Sequence, residues 1–478
     1  MDTTRNFSPP SAEAIDRLKA AVGPGGWTED QEEIAPWVRE DRGLWFGSAT
    51  LMLKPANTDE VSQILRICNE TDTCLVPQGG NTSLVGASIP IEGQHEIVLS
   101  LRRLNRIRDI DPLSNTIIVE AGCILADIQD AADEVERLFP LSLGSQGSCR
   151  IGGNLSTNAG GTGVLKYGNT RDLALGLEVV LPNGDIINDL KTLRKDNTGY
   201  SVKNLFIGAE GTLGVITAAS LKLFPKPGDV LTGFVAIPHV AAAIDLLSRA
   251  RQAVGDTVTA FELIPRIGID FLCKHIEGSR DPLENQYEWY ALIEISAPGK
   301  DVDLRTAFEN MLEAAYNDDV LEDAVIAGSA AQASQLWRMR ESLNEAQKPE
   351  GASIKHDVSV PITEIPQLIA EGSEAISAMI EDVRVLAFGH VGDGNVHFNF
   401  SRPLTMKDAD FMAQAEKIHH IIHDIVHKLG GSISAEHGLG RHKREEIKRF
   451  KDPASLELMS KIKDLIDPNG IMNPGKVI

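Results

Sequence analysis

Between Asn57 and Glu70 the apolar residues Val61, Ile64, Leu65 and Cys68 recur at helical spacing. Asn57 or Thr58 stands ready to cap the helix, and Asp59 and Glu60 suit its positive N-terminal end. A strand, Cys74–Pro77, follows and runs into the glycine-rich loop Gln78-Gly-Gly-Asn-Thr-Ser-Leu-Val-Gly86. Short apolar runs predict further strands at Glu96–Leu101, Thr116–Gly122, Leu177–Leu181 and Ile186–Asn188, with Pro182-Asn183-Gly184 as a hairpin signal between the last two. The first half therefore reads as mixed α and β. Pro225-Lys-Pro-Gly228 then punctuates the chain as a domain end does.

Beyond that boundary the pattern predicts strand Leu231–Pro238, helix Val240–Val254, strands Val258–Pro265 and Tyr287–Ser296, helix Val302–Tyr316 and strand Ala324–Ala327. This β-α-β-β-α-β order resembles a ferredoxin-like antiparallel sheet. At 478 residues the chain is too long for one core, and its 42% hydrophobic and 24% charged residues are those of a globular protein. A formal charge of -22 argues against nucleic acid or an anionic membrane as the main partner. The five cysteines form no C-x-x-C pair, which suits a reducing compartment and excludes a cysteine zinc site. MDTTRNFSPP lacks an apolar signal core, and no run reaches the ~18 apolar residues of a membrane span, so a cytoplasmic protein is expected.

Two more glycine-rich tracts, Gly144–Gly163 and Gly208–Gly214, join the first. Glycine lets backbone N–H groups approach an anion and permits positive φ, so three such loops in one α/β domain can surround a long diphosphate ligand. No G-x-G-x-x-G occurs, which removes a Rossmann nicotinamide site. Gly470-Ile-Met-Asn-Pro-Gly475-Lys476 mimics a P-loop, but Val477 replaces the required Ser or Thr.

Leu386-Ala-Phe-Gly-His390-Val-Gly-Asp-Gly-Asn-Val-His397-Phe-Asn399-Phe reads as a hairpin. If its turn centres on Asp393 and Gly394, His390 and His397 lie opposite one another with Cβ atoms ~4.5–5.5 Å apart, a spacing that suits one shared metal. Asn399 points to the same face. The only Glu-His pair, Glu436-His437, offers a third ligand at the end of a strand. Two histidines and a glutamate leave coordination positions open, as in catalytic sites. Spacing alone leaves open that these histidines are ordinary core or surface residues.

Pro77–Gly86, Gly144-Ser-Gln-Gly-Ser-Cys-Arg-Ile-Gly-Gly-Asn154, Asp196-Asn-Thr-Gly-Tyr200 and Leu205-Phe-Ile-Gly-Ala-Glu-Gly-Thr-Leu-Gly-Val-Ile-Thr217 resemble the FAD domain of the vanillyl-alcohol oxidase superfamily. Gly389-His-Val-Gly-Asp-Gly-Asn-Val-His397 and Glu436-His-Gly438 resemble the branch that contains D-2-hydroxyglutarate dehydrogenase, D-lactate dehydrogenase and the glycolate oxidase flavin subunit. The resemblance implies an α+β chain: a two-subdomain FAD-binding fold plus a ferredoxin-like antiparallel-sheet substrate domain. Residues 1–226 would bind FAD, 227–445 would form the substrate domain with the metal site, and 446–478 would return to the FAD domain. It assigns FAD contacts to Gly79, Gly80, Asn81, Thr82, Gly86, Gly144, Ser145, Gly147, Ser148, Gly152, Gly153, Asn158, Gly160, Gly161, Glu210, Gly211, Ile216 and Asn473. Residues 77–86 contain neither His nor Cys, so FAD is expected to be noncovalent.

The same resemblance makes His390, His397 and Glu436 ligands of a divalent metal, zinc first with manganese or iron as alternatives, and His437 the catalytic base and a substrate contact. Asn399 would bind the metal end of the substrate. Arg340 and Asn344, four apart on a helix starting near Ser329, share a face, and Lys355 opens the strand Ser353–Pro361. On charge patterning alone these cations read as surface charges. The resemblance instead makes Arg340 and Lys355 the grip on a distal carboxylate, with Asn344 standing where a threonine is usual. The implied activity is oxidation of a D-2-hydroxy acid, 2-hydroxyglutarate first. D-lactate, glycolate and malate, or service as the flavin subunit of a larger complex, are the rivals. An electron-transfer flavoprotein or quinone would take the electrons, and a homodimer is a further option.

Overall fold

The computed structural model describes residues 7–40, 42–297, 299 and 303–478. The chain forms two units: 1–161, 168–226 and 437–478 make the first, and 162–167 with 227–436 the second.

In the first unit, helix Thr58–Glu70 is capped by Asn57, whose side chain accepts from the Glu60 N–H. The helix connects Met52–Leu53 to Leu75–Gln78, and both strands run parallel to Ile97–Ser100 between them. Trp27–Thr28 closes this four-stranded sheet antiparallel to Met52–Leu53. A second, five-stranded antiparallel sheet has the order Ile107–Asp111, Thr116–Glu120, Val215–Lys222, Ala174–Val180, Ile186–Asp189. The C-terminal segment returns to the first sheet: the Leu75 N–H donates to Ile471 O at 3.0 Å and the Asn473 N–H to Leu75 O at 2.9 Å. A fully buried Lys476–Glu96 ion pair at 2.9 Å fastens the end of the chain.

In the second unit we label the strands β1 (Asp229–Ile237), β2 (Val258–Pro265), β3 (Trp289–Ala297), β4 (Asp323–Ile326), β5 (Ser353–Ile354), β6 (Asp357–Ser359), β7 (Arg384–His390) and β8 (Asn395–Ser401). Their order is β4-β1-β3-β2-β7-β8-β5, with β6 also pairing β8. The first four strands have the ferredoxin-like order, and the β7–β8 hairpin widens the sheet. Both faces are buried, because strand residues alternate between two cores: Val235 and Ile237 join one, Phe234 and Ala236 the other.

Helix Val240–Val254 and strand Val258–Pro265 have the bounds that the hydropathy pattern predicts. Helix Leu304–Asn317 replaces the expected 302–316, of which Val302 lies outside the described residues. Helix Arg266–His275, which the pattern did not predict, lies between β2 and β3. The expected strand Ser353–Pro361 appears as two short pieces, β5 and β6, that keep one register on β8: the ladder thins only at Lys355 and His356, where the Phe398 N–H still donates to His356 O at 2.9 Å.

Candidate active site

The β7–β8 hairpin carries the histidines, but its register differs from the expected one. Phe388 pairs His397 and Leu386 pairs Asn399, so His390 and His397 are not directly opposite. The turn is longer than two residues: Val391–Asp393 makes a 3-10 turn and Gly394 adds a left-handed residue at φ 86. A Cβ on Gly394 would meet Val360 O at 2.1 Å, so only glycine fits. The histidines are diagonal neighbours on one sheet face, with ring centroids 5.5 Å apart and planes at 77°.

Glu436 reaches the same place by a different anchor. Its N–H donates to Asp357 Oδ2 at 2.9 Å, and Asp357 is itself buried on β6. Donor atoms of His390, His397 and Glu436 all lie within 4.8 Å of one another, and His390 Nε2 is 3.9 Å from Glu436 Oε1. Ligands ~2.0–2.2 Å from one ion need donors ~3.3–3.6 Å apart at tetrahedral angles, so small side-chain adjustments suffice. The trio fits a divalent cation, and its N/N/O donor set is compatible with zinc, manganese or iron.

Glu262, on β2 opposite His390, explains why that imidazole is oriented. His390 Nδ1 donates to Glu262 Oε1 at 2.5 Å, which turns Nε2 towards Glu436. This is the carboxylate-histidine arrangement that fixes the tautomer of a metal ligand. The other carboxylate oxygen accepts from Arg340 Nε at 2.6 Å. Burial raises the Glu262 pKa, but the Arg340 and His390 charges and hydrogen bonds overcome it and bring it down to about 2. For His390 burial acts downward, and Glu262 outweighs it, taking the pKa up to about 9. Burial pushes the Glu436 carboxyl up to about 7 against the His390 charge.

Arg340 is held on three sides. It is buried, bonded to Glu262 and placed over the Phe388 ring at 4.8 Å, while its Nη2 is a buried donor with no partner among the described residues. An unpaired buried guanidinium nitrogen is costly unless a ligand accepts from it. Lys355 Nζ donates to Asn344 Oδ1 at 3.2 Å. The single helix expected through Arg340 and Asn344 is divided: Ala330–Glu341 ends at Ser342 and Leu343–Gln347 starts anew. Consequently Arg340 is buried whereas Asn344 is exposed. Asn399 is buried and its amide donates to Gln347 Oε1 at 3.1 Å, so its side chain is fixed by a neighbour. His437 begins the C-terminal segment of the first unit.

The first unit gathers the glycine loops. A Cβ on Gly144, Gly147 or Gly153 would meet nothing within 4 Å, so these glycines border open space as a cofactor cradle does. Others are needed for packing: a Cβ on Gly80 would strike Ser148 O at 2.2 Å, and one on Gly161 Ser142 O at 1.9 Å. Several polar residues assigned to FAD act as braces. Asn81, at φ 58, donates to Arg39 O at 3.0 Å and accepts from Ser88 Oγ at 2.9 Å. Asn158 accepts from the Arg171 N–H at 2.9 Å, and Asn473 donates to Glu210 O at 2.7 Å. Glu210 accepts the N–H groups of Leu439 and Gly440 at 2.8 and 2.9 Å, and burial raises its pKa to about 7 in spite of those bonds. Open glycines beside braced turns fit an extended diphosphate cofactor.

Sequence reasoning missed Glu262 entirely. The available signal was a lone carboxylate in the otherwise apolar Val-Thr-Ala-Phe-Glu-Leu-Ile-Pro strand, all eight residues of which are buried. A charge in such a position needs a cationic partner.

Residues 226–477 match the family described as FAD linked oxidases, C-terminal domain, and residues 49–189 match the FAD binding domain. A mitochondrial D-2-hydroxyglutarate dehydrogenase of Arabidopsis thaliana is 38% identical over 99% of this chain and 82% of its own length. The D-2-hydroxyglutarate–pyruvate transhydrogenase of Saccharomyces cerevisiae is 38% identical over 94% of this chain and 90% of its own. Among solved structures, alkyldihydroxyacetonephosphate synthase superposes with a TM-score of 0.75 at 19% identity, covering 98% of this chain and 87% of the other. p-Cresol methylhydroxylase gives 0.75 at 15% identity over 97% and 96%. Both likenesses establish the fold. No helix among the described residues is long and apolar enough to cross a membrane. With the family matches spanning both units and relatives aligned over nearly the whole chain, the protein belongs to the FAD-linked oxidases, in the branch that includes the D-2-hydroxyglutarate dehydrogenases.

Proposed function

We propose that this chain oxidises a D-2-hydroxy acid to the 2-oxo acid, D-2-hydroxyglutarate first, using noncovalent FAD and a divalent metal. The observation that carries the reading is Glu262, which couples a carboxylate-seeking guanidinium, Arg340, to the metal-seeking imidazole of His390. Relatives named for D-2-hydroxyglutarate align over both.

FAD would be held by residues 1–226 with the C-terminal segment 446–478, and would supply the acceptor for the C2 hydride. A cation held by His390, His397 and Glu436, zinc first and manganese or iron otherwise, would acidify the substrate hydroxyl. The chain's own groups do the rest, Arg340, Lys355 and Asn399 from the second unit and His437 from the start of the segment 437–478. Arg340 donates from Nη2 to a substrate carboxylate, and Lys355 adds the second cation that a diacid needs. Asn399, pinned by Gln347, orients the end of the substrate nearest the metal ligands. His437 takes the hydroxyl proton as general base. An electron-transfer flavoprotein or a quinone would be the electron acceptor.

Substrate choice is tested with Lys355→Ala: KM for 2-hydroxyglutarate should rise far more than for D-lactate, and equal losses would remove the diacid reading. Retention of flavin on acid-precipitated protein would contradict noncovalent FAD. A cytoplasmic location and a homodimer belong to the same reading, although relatives carry mitochondrial names. Fractionation and light scattering test them.

A further inference from the structure

On the opposite face of the same sheet, three more histidines converge. Phe398 and Phe400 of β8 point into the core that holds Ile418 and Ile422, away from the face of Phe388, with which His397 is paired. Helix Ala415–Lys428 lines that core and presents His419 and His423, one turn apart. His356, at the break between β5 and β6, meets them there: its ring centroid is 4.7 Å from His419 and 5.7 Å from His423. Ligand nitrogens of all three lie within 4.8 Å of one another. His356 and His423 are each 3% exposed, and His419 is partly exposed.

The proton arrangement favours a ligand role for His356. Its Nδ1 lies 2.9 Å from Phe398 O, and a carbonyl only accepts, so Nδ1 carries the hydrogen and Nε2 presents a lone pair. That lone pair faces His419 Nδ1 at 2.9 Å. A backbone carbonyl fixing one ring nitrogen while the other faces a shared point is how ligating imidazoles are oriented. Two nitrogens bound to one ion stand ~3.3 Å apart, so the pair need open by only a few tenths of an ångström.

We propose that His356, His419 and His423 form a second metal site, separate from the His390, His397 and Glu436 trio, which takes an imidazole-preferring divalent cation such as zinc. Three imidazoles without a carboxylate select zinc, copper, nickel or cobalt over manganese, whereas the first trio includes a carboxylate and accepts manganese as well. Water completes the coordination through the partly exposed His419 side. The ion ties the chain between Lys355 and Asp357 to helix Ala415–Lys428. The competing account is a histidine pair that shares one proton and binds no ion. This inference stands whether or not the proposed substrate is correct.

The test uses tag-free, flavin-loaded, metal-stripped protein dialysed against zinc or manganese, with metal counted per chain by mass spectrometry. Wild type should hold two zinc ions but one manganese. His419→Gln with His423→Gln should hold one zinc, His390→Gln with His397→Gln should also hold one, and the fourfold variant none. Flavin absorbance and far-UV circular dichroism report folding, and His419→Gln alone, at the more exposed position, serves if the double variant unfolds. A zinc count that the His419 and His423 substitutions leave unchanged overturns the proposal, whatever the count in the wild type.

Discussion

Replacing Glu262 by glutamine keeps its shape and removes its charge. The carboxylate is fully buried and bonded by two groups, Arg340 at 2.6 Å and His390 at 2.5 Å. An amide can accept from only one of them and turns its own N–H groups towards the other. Breaking a buried ion pair on one side costs ~3–5 kcal/mol. The isosteric amide keeps one hydrogen bond, so about 3 kcal/mol is expected for Glu262→Gln. For a unit of ~150–250 residues, each kcal/mol moves the melting midpoint by ~2–4 °C, which gives a fall of roughly 6–12 °C. Losing the group that orients His390 should also weaken metal binding ~10–100-fold. Differential scanning calorimetry measures the first, and competition with a zinc chelator the second. An unchanged midpoint together with unchanged metal affinity would show that Glu262 neither supports Arg340 nor orients His390.

Three further outcomes are expected. Gly153→Ala should leave the apo fold intact, because its Cβ meets nothing, yet weaken flavin binding at least ~10-fold; Gly161→Ala should destabilise the fold itself, since that glycine sits at φ 129 against Ser142 O. Flavin titration with a parallel thermal melt separates the two. Lys355→Ala should shift specificity from diacid towards monoacid, read as the ratio of kcat/KM values for 2-hydroxyglutarate and D-lactate. Burial pushes the Glu350 pKa up, but hydrogen bonds from Lys274, His275 and Arg384 bring it down to about 2. A depressed carboxylate stabilises the fold above its ordinary range and loses that contribution as pH falls from about 4.5 towards 2. At ~1.36 kcal/mol per unit the contribution is at most ~3 kcal/mol. Urea midpoints of Glu350→Gln should therefore be lower than wild type at pH 6 and converge with it near pH 2; parallel curves would contradict this.

Where periodicity alone decides structure, the sequence was legible. Helix Val240–Val254 has its apolar stripe, and β2 is apolar apart from Thr259 and Glu262, long enough for a buried strand. The hairpin was legible as a hairpin but not in register, because Val391–Asp393 coils before Gly394 reverses the chain and shifts the pairing by two. The strand 353–361 was legible too, since β5 and β6 share one register on β8; what the pattern did not show is that at His356 the imidazole Nδ1 takes the Phe398 carbonyl. Of the site, the residues with distinctive spacing were found. Glu262 was missed because it acts through contacts 78 and 128 positions away in sequence. His356 likewise meets His419 and His423 only once the sheet has formed.

The central claim is that this flavoprotein takes a hydride from a D-2-hydroxy acid at a metal-dependent site. Anaerobic mixing of the purified holoprotein with D-2-hydroxyglutarate measures that directly by flavin absorbance near 450 nm. The account predicts bleaching with the D enantiomer and not the L, its loss after chelation, and recovery on adding zinc or manganese. Flavin that stays oxidised with every D-2-hydroxy acid, in protein shown to be metal-loaded, would contradict it.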